Sequence, residues 1–193
     1  MLAAGEGRRM GGPKALLRIG PESFLARISA LLAAAGAEPV VAVLGCEAAR
    51  VQADAGIPPG VVVVENPRWR DGMLGSIWRG LDAAEAAGSE AALIHPVDHP
   101  LVEPETIARV LDALRAGARV AVPSFSGRRG HPGGFAEATW PALRTASPAR
   151  GARGVLADHP EWIVHVDGGP GCIAGIDTPD DYARLIRRSD PYP

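Results

Sequence analysis

Lysine is almost absent from this chain: of its 20 basic residues 19 are arginine, and Lys14 is the one lysine. Cysteine is also scarce, and Cys46 and Cys172 do not have the spacing of metal ligands. We therefore expect two buried free thiols and a cytoplasmic location, because the cytosol keeps thiols reduced. No apolar run approaches the length of a membrane-spanning helix, so we expect no membrane partner.

An excess of either charge is missing as well, since 20 Lys+Arg against 22 Asp+Glu give a formal net charge of −2. The arginines are spread along the chain, and we expect no nucleic acid partner. The length of 193 residues and the 47% hydrophobic content are typical of one globular domain over 1–193. Short β-rich runs alternate with helical patterns, which predicts an α/β fold: a mostly parallel sheet between two layers of helices.

The individual elements follow from hydrophobic periodicity and from turn residues. Helices are predicted at 22–35, 47–55, 73–87, 104–116, 136–144, 150–157 and 179–188. Strands are predicted at 40–44, 61–64, 91–94, 120–122, 162–166 and 172–176. The alternation breaks at Pro123, so 123–176 is expected to be less regular, with a loop or hairpin at 124–135. We expect 191–193 to be a frayed tail.

Residues 2–14 combine four glycines, two arginines and the lysine directly after what can be only a stub of a strand. Glycines let the backbone turn tightly and bring its N–H groups to a ligand, and the basic side chains add positive charge. The segment therefore indicates a cradle for a polyphosphate. It is not a Walker A loop, because Ala15 follows Lys14, nor the dinucleotide fingerprint, because Met10 stands where glycine is required. A flexible basic surface loop is the alternative.

This segment resembles the signature loop of the MobA-like nucleotidyltransferases, most of all the branch that contains CTP:molybdopterin cytidylyltransferase. The residues that carry the resemblance are Leu2, Ala3, Ala4, Gly5, Gly7, Arg9, Met10, Gly11 and Lys14. The resemblance implies a Rossmann-like nucleotidyltransferase fold whose loop binds a nucleoside triphosphate. The Leu-Ala-Ala-Gly form implies CTP, whereas Leu-Ala-Gly-Gly would imply GTP. Lys14 and Arg9 are then the residues that hold the phosphates.

Asp98 follows the predicted strand at 91–94, in the segment His95-Pro96-Val97-Asp98-His99-Pro100. A carboxylate at a strand end suits Mg²⁺, which prefers one or two carboxylates together with phosphate oxygens and water. An aspartate that only caps the turn is the alternative. The segment resembles the Asp-x-Pro of the family, with Val97 where glycine is usual and His99 where glutamine or methionine is usual. We expect Mg²⁺ as cofactor, Asp98 as a catalytic metal ligand and His99 as a solvent-facing turn residue, with metal ligation by His99 as the alternative.

Asp177 is the second candidate metal ligand, and the segment that it opens, through Asp181, resembles a C-terminal segment of the family whose first aspartate helps to hold the metal. Simple capping of the following helix by Thr178 and Asp180 is the alternative. Ligands of open α/β sheets bind at the carboxyl ends of the strands. The glycine loop, the turns after the strands at 61–64 and 91–94, and Asp177 are therefore expected at one rim.

Asn66, Gly72 and Ser76 form a third candidate element. Asn66 offers both a donor and an acceptor to a base edge, and the glycine permits close approach beside Ser76. The stretch resembles the Asn-Pro and Gly-Met/Leu-x-Ser-Ser segments of the cytidylyltransferase branch, although Gly75 replaces a serine. An ordinary loop and helix start is the alternative.

Arg129 and His131 belong to a segment that resembles the Gly-His-Pro segment of the family. Arginines beside a glycine-flanked histidine can bind an anionic acceptor substrate such as a pterin phosphate. A solvated charge pair in a hairpin is the alternative.

Together these features predict a magnesium-dependent nucleotidyltransferase. The resemblance implies that CMP passes from CTP to the phosphate of molybdopterin with release of pyrophosphate, and it leaves room for a molybdoenzyme or chaperone partner. Related transferases that use GTP, or a sugar, polyol or organic phosphate as acceptor, are the alternatives, as is a non-catalytic nucleotide-binding protein. Family members have several apolar residues before the loop, where this chain has Met1 and Leu2. We therefore hypothesise that the chain start is truncated or mis-set, which mass spectrometry of the native protein tests.

Overall fold

Strands and helices alternate over residues 1–189, which the computed structural model describes. The strands are β1 (Leu2–Ala3), β2 (Arg18–Ile19), β3 (Glu22–Ser23), β4 (Val41–Leu44), β5 (Val62–Glu65), β6 (Ala91–Ile94), β7 (Val120–Phe125), β8 (Arg128–Arg129), β9 (Gly133–Ala136) and β10 (Ile163–Asp167). The helices are α1 (Phe24–Ala34), α2 (Ala48–Asp54), α3 (Met73–Ala86), α4 (Pro104–Arg115), α5 (Trp140–Thr145), α6 (Gly151–Asp158) and α7 (Pro179–Ser189). The tail predicted at 191–193 lies outside the described residues. Within them, no helix combines the length and apolar character that a membrane crossing needs.

The main sheet has two parts that meet at β1. One part has the order β1-β4-β5 and the other the order β10-β7-β9-β6, with β8 paired to β7. Leu2 joins the parts, because its N–H donates to the carbonyl of His95 at 2.8 Å and its own carbonyl accepts from the N–H of Val97 at 2.9 Å. β9 runs antiparallel to both of its neighbours, whereas β1, β4 and β5 are parallel, as are β7 and β10. The prediction of a mostly parallel sheet is confirmed.

Helices cover both faces of this sheet, which confirms the predicted three layers. Neighbouring residues of one strand face opposite layers: Ala3 of β1 packs in the core cluster with α1, α2, α4 and α7, whereas Leu2 packs against the cluster with α3, α5 and α6. Successive side chains of a strand point to opposite faces, so short apolar strands buried on both sides produce this division.

Most of the predicted elements are confirmed to within two residues. The predictions at 172–176, 124–135 and 136–144 are wrong in whole or in part, and β7 extends three residues beyond the predicted 120–122. The strand predicted at 172–176 is instead a 3-10 turn at Pro170–Ile173. Its backbone groups serve other loops, because the carbonyl of Cys172 accepts from His131 N–H at 2.8 Å and the N–H of Ile176 donates to the carbonyl of Asp98 at 2.8 Å. No sheet partner is left for a strand at this position.

The second error concerns the loop or hairpin predicted at 124–135. Its first half is the β7–β8 hairpin, but β9 is an interior strand that begins at Gly133. Gly134 explains why a weak β-former stands there: a Cβ would lie 2.8 Å from Val110 Cγ1 and 2.7 Å from Leu114 Cδ1 of α4. The glycine thus lets the helix pack closely on the sheet. Because β9 continues to Ala136, the helix predicted at 136–144 begins only at Trp140, after a 3-10 turn.

Candidate active site

The carboxyl ends of the strands open onto a groove of about 400 Å³, where the segments predicted at one rim converge. The residues that line it are Leu2, Ala4, Gly5, Gly7, Arg8, Arg9, Lys14, Trp69, Gly72, Met73, Ser76, Pro96, Val97, Asp98 and Asp177. A second cavity of about 230 Å³ lies at the opposite ends of the strands, and none of the residues that line it is a lysine or an arginine. The groove, rather than this cavity, has the positive charge that suits a triphosphate.

The glycine loop forms one wall of the groove, and its turn depends on Gly7. This residue has φ +62°, and its carbonyl accepts from the N–H of Met10 at 2.8 Å and from that of Gly12 at 3.3 Å. A Cβ on Gly7 would lie 1.9 Å from the carbonyl oxygen of Gly12, so a larger residue would push the loop open. A residue without a side chain is therefore required here for both its dihedral angle and its space.

Lys14 lies at the end of this loop, and its side chain points into the groove. It begins a 3-10 turn after Pro13, and its Nζ lies 3.0 Å from Asp98 Oδ2 and 2.7 Å from Asp177 Oδ1. Its side chain is only 14% exposed. One ammonium thus bridges two carboxylates. Asp98 lies 84 residues and Asp177 163 residues after the lysine in the chain.

The two arginines of the loop differ in their contacts. Arg9 donates to Asp177 Oδ1 at 3.1 Å, so it shares an acceptor with Lys14. Arg8 instead pairs with Glu6 at 2.6 Å. Both arginine side chains are largely exposed, which leaves Arg9 able to reach a ligand in the groove.

Asp98 is ionised in this environment. Burial by itself raises the pKa of its carboxyl, but the hydrogen bonds from His99 and Lys14 outweigh burial and hold the pKa well below its usual range. His99 Nδ1 lies 3.0 Å from Asp98 Oδ1, and the His99 side chain is 16% exposed. The expectation of a solvent-facing His99 was therefore wrong, because the ring turns inward to the carboxylate.

The carboxylate of Asp177 takes no part in capping α7, although the backbone N–H of Asp177 donates to Asp181 Oδ2 at 3.2 Å. The cap is formed by Thr178 and Asp181: Asp181 Oδ2 accepts from the N–H of Thr178 at 2.9 Å, and Thr178 Oγ1 accepts from the N–H of Asp181 at 3.2 Å. Asp180, which the sequence suggested for capping, has no part in these bonds. The Asp177 carboxylate is thus available to Lys14 and Arg9.

Asn66 and Ser76 are linked, but only Ser76 lines the groove. Asn66 is buried; its Nδ2 donates to Ser76 Oγ at 3.0 Å and its Oδ1 accepts from the N–H of Arg68 at 3.0 Å. Both of its polar groups are thus used within the protein. Trp69 and Met73 also line the groove beside Gly72, and neither was predicted. The sequence signal for them was an apolar residue shortly before and directly after the glycine of a loop.

Of the other residues predicted to bind the nucleotide, Ala3, Met10 and Gly11 do not line the groove, whereas Leu2, Ala4, Gly5 and Gly7 do. Ala3 is 3% exposed and packs in the core beneath the loop. The Gly11 backbone closes the 3-10 turn by donating to the carbonyl of Arg8 at 3.3 Å. These residues shape the cradle from behind.

His131 and Arg129, predicted for the acceptor substrate, lie in different surroundings. The His131 ring centroid is 4.6 Å from that of His99, which brings it beside the Asp98 segment. Burial and then the positive potential of neighbouring His99 lower the pKa of His131 to about 4. Arg129 is exposed on β8 and does not line the groove. Arg153, which the sequence did not single out, contributes to the positive potential at His131.

Sequence and structure comparisons relate the chain to nucleotidyltransferases, in agreement with a groove that suits a triphosphate. The sequence model of the MobA-like NTP transferase domain matches residues 1–162. The chain belongs to the MobA-like NTP transferase family. Its enzyme class is accordingly that of the nucleotidyltransferases, and the predicted family and fold are confirmed. Nicotine blue oxidoreductase of Paenarthrobacter nicotinovorans is 35% identical to this family member in an alignment 197 positions long, which covers 96% of this chain and 94% of that protein.

Two further similarities extend the comparison. 2-C-methyl-D-erythritol 4-phosphate cytidylyltransferase of Cereibacter sphaeroides is 40% identical over 130 residues, 64% of this chain. The match covers 56% of that protein, so the MobA-like chain spans about half the length of this relative. Rv0371c of Mycobacterium tuberculosis H37Rv has a similar structure, with a TM-score of 0.79 at 26% identity over 96% of this chain and 95% of that one. Its manganese complex has a TM-score of 0.70 at 27% identity, over the same shares of the two chains.

Proposed function

We propose that this protein transfers CMP from CTP to the phosphate of molybdopterin and releases pyrophosphate. The observation that carries the proposal is the ammonium of Lys14 between the carboxylates of Asp98 and Asp177, at the mouth of the glycine loop. A phosphate-binding cation and two candidate metal ligands in one place are what nucleotidyl transfer needs.

The two carboxylates fit Mg²⁺. Asp98 and Asp177 already share one cation, and hard oxygen ligands are those that Mg²⁺ prefers. Among residues 1–189, no group of three or more histidine, cysteine or acidic side chains has the geometry to hold a metal. Phosphate oxygens and water would therefore complete the coordination. When bound, the cation supplies neutralisation of the phosphate charge and a fixed position for the reacting phosphate.

The residues of the chain then have separate tasks. Lys14, Arg9 and the backbone N–H groups of the glycine loop hold the triphosphate, where negative charge builds on the leaving pyrophosphate. An oxygen of the acceptor phosphate forms a bond to the α-phosphorus of CTP as the bond from that phosphorus to the bridging oxygen of the β-phosphate breaks. Because the acceptor is already an anion, no proton has to be removed from it. Positioning thus accounts for most of the catalysis.

We assign the base to the groove itself and the acceptor to a region beside it. We assign cytosine to the end formed by Leu2, Ala4, Gly72 and Ser76, with Asn66 acting through its hydrogen bond to Ser76. We assign the acceptor to the side of His131 and the less regular part at 123–176, with Arg129 at its edge. A molybdoenzyme or chaperone that receives the product is the partner that this function implies. Free thiols suit a cytoplasmic enzyme, although only Cys172 is buried as expected and Cys46 is partly exposed.

The test is the release of pyrophosphate by the purified protein with Mg²⁺, molybdopterin and each of the four nucleoside triphosphates in turn. We expect release with CTP and formation of molybdopterin cytosine dinucleotide. A preference for GTP would overturn the cytidylyl assignment. Pyrophosphate release only with 2-C-methyl-D-erythritol 4-phosphate, or only with a sugar phosphate, would show that this compound and not molybdopterin is the acceptor. A protein that binds CTP but releases no pyrophosphate with any acceptor would contradict transfer itself.

A redox reaction is the second candidate, because the similarity to nicotine blue oxidoreductase covers nearly the whole of both chains. Its test is incubation with nicotine blue and a reduced nicotinamide nucleotide, with both compounds followed by absorbance. Consumption of both compounds that persists in the Lys14→Met variant would favour this candidate. The pair of carboxylates on Lys14 is not explained by it, and for that reason nucleotidyl transfer is preferred.

A further inference from the structure

We propose, resting on the function above, that Lys14 is an internal counter-ion: without nucleotide its ammonium occupies the position of the divalent cation between Asp98 and Asp177, and it leaves for the triphosphate when that cation binds. The chain thereby couples metal binding to nucleotide binding. Lys14 is a positioning residue for the carboxylates in one state and a phosphate ligand in the other.

The geometry leads to competition. Lys14 Nζ lies 3.0 Å from Asp98 Oδ2 and 2.7 Å from Asp177 Oδ1, so one nitrogen holds the two carboxylates together. Mg²⁺ prefers carboxylate oxygens as ligands, so a magnesium ion held by Asp98 and Asp177 would compete with the ammonium for the space between them. The ammonium of Lys14 and a metal ion cannot both lie between these two carboxylates, so the lysine side chain has to move when the metal binds.

The charges favour a joint exchange. Two carboxylates now face two positive groups, Lys14 and the guanidinium of Arg9, which also donates to Asp177 Oδ1. A divalent cation added alone would leave a surplus of positive charge in a partly buried site, where like charges repel more strongly than in water. The negative charges of a triphosphate remove that surplus and give the displaced ammonium a new partner. Metal and nucleotide should therefore increase the affinity of each other.

The residue type supports this role. The chain uses arginine at 19 of its 20 basic positions but has lysine here. An ammonium is a compact point charge that fits between two oxygens, whereas a planar guanidinium pairs with one carboxylate through two parallel bonds. The long flexible stem lets the charge of Lys14 move while Pro13 and the 3-10 turn hold the backbone.

The first experiment measures Mn²⁺ binding without nucleotide, by the EPR signal of the free ion. Lys14→Met removes the competing charge at similar length, and we expect it to bind Mn²⁺ about tenfold more tightly than the unmodified protein. Arg9→Met is the matched control, because it also removes one positive charge but from one carboxylate only, so a smaller gain is expected. Adding Asp98→Asn to Lys14→Met should abolish the gain. Equal or weaker Mn²⁺ binding by Lys14→Met, or an equal gain in both single variants, would overturn the proposal.

The second experiment uses the unmodified protein and remains valid if Lys14→Met does not fold. Because the chain has one lysine, protein labelled with ¹³C-lysine gives a single set of lysine signals. We expect the Cε–Hε signal to shift as Mg²⁺ saturates the protein and to shift again when CTP is added. An unchanged signal in protein shown to be saturated with Mg²⁺ would contradict the displacement. Both experiments have arms without acceptor or turnover, so they can succeed even if pyrophosphate release fails.

Discussion

At the scale of single residues, Asp98 is the group on which the site converges. Lys14 binds one of its oxygens and His99 the other, and its backbone carbonyl accepts from the N–H of Ile176, which leads into the Asp177 segment. We expect Asp98→Asn to lower pyrophosphate release about 100-fold or more, because an amide cannot replace a carboxylate at a cation. Asp180→Asn, an exposed residue of the same charge outside the groove, is the control and should keep full activity. Similar rates for both variants would remove Asp98 from the mechanism.

The buried histidines make stability depend on pH. Burial first, and then neighbouring His131, lower the pKa of His95 to about 3, and burial lowers the pKa of His131 to about 4, both from 6.5. Between pH 6.5 and these lower pKa values the unfolded chain therefore binds more protons than the folded one. The free energy of unfolding consequently falls as the pH drops through 6.5. We expect a loss of about 2 kcal/mol per histidine between pH 7.5 and pH 5.

Urea unfolding at these two pH values measures the loss, with His131→Gln as the comparison. The variant should lose about 2 kcal/mol less than the unmodified protein on acidification, because one of the two depressed groups is removed. An identical pH dependence of the two proteins would mean that His131 is not held in its neutral form.

Single residues could be found from the sequence where a local pattern carried them. Lys14 was identified because it lies in the glycine loop, and Asp98 because it follows an apolar strand. The pairing of Lys14 with both carboxylates was not predictable, since it joins residues distant in the chain. The inward turn of Asn66 was also missed, because a polar residue in a loop gives no local sign that its partner, Ser76, lies on the following helix.

At the scale of elements, the glycine loop has a strict requirement at one position. Gly7→Ala should lower the affinity for CTP at least about tenfold, because φ +62° costs a non-glycine residue energy and the new Cβ would collide with Gly12. Gly12→Ala is the matched control, since a Cβ there meets nothing within 4 Å. Titration calorimetry with CTP and Mg²⁺ compares them, and equal affinities would show that the shape of the loop does not matter for binding.

Helix α1 offers two buried serines with opposite expected effects. Ser23 caps the helix by accepting from the N–H of Ala26 at 3.0 Å, and its hydroxyl also donates to the carbonyl of Ala55. Ser29 is equally buried, and its Oγ has no hydrogen-bond partner among the described residues. We expect Ser23→Ala to lower the free energy of unfolding by about 2 kcal/mol and Ser29→Ala to leave it unchanged or raise it slightly. Urea unfolding decides, and the reverse order would contradict the assignment of the cap.

Elements with a strong hydrophobic period were predictable, and those set by tertiary packing were not. Helix α4 has a stop at Gly117 and a regular apolar face, and its bounds were found within a residue. Strand β9 is short and rich in glycine because α4 packs close above Gly134, and that contact is invisible in the local sequence. The 3-10 turn at Pro170–Ile173 resembles a strand in sequence because Cys172, which is buried, and Ile173, which is partly buried, are both apolar.

At the scale of the whole molecule, the site depends on the junction of the two parts of the sheet at Leu2. The glycine loop leaves β1 directly after this junction, and the Asp98 segment leaves β6 beside it, so the loop and the carboxylate face each other. The alternation of strands and helices predicted this carboxyl-end rim, since parallel strands place their following loops on one side. It did not predict the order of the strands, because β9 enters between β6 and β7 from a later part of the chain.

A crystal structure with a non-hydrolysable CTP analogue and Mg²⁺ would show where the nucleotide and the metal bind. We expect the triphosphate along the Gly5–Lys14 loop, the metal between the carboxylates of Asp98 and Asp177, and Lys14 turned from those carboxylates to the phosphates. A nucleotide bound outside the groove, or a metal that neither carboxylate touches, would contradict this arrangement.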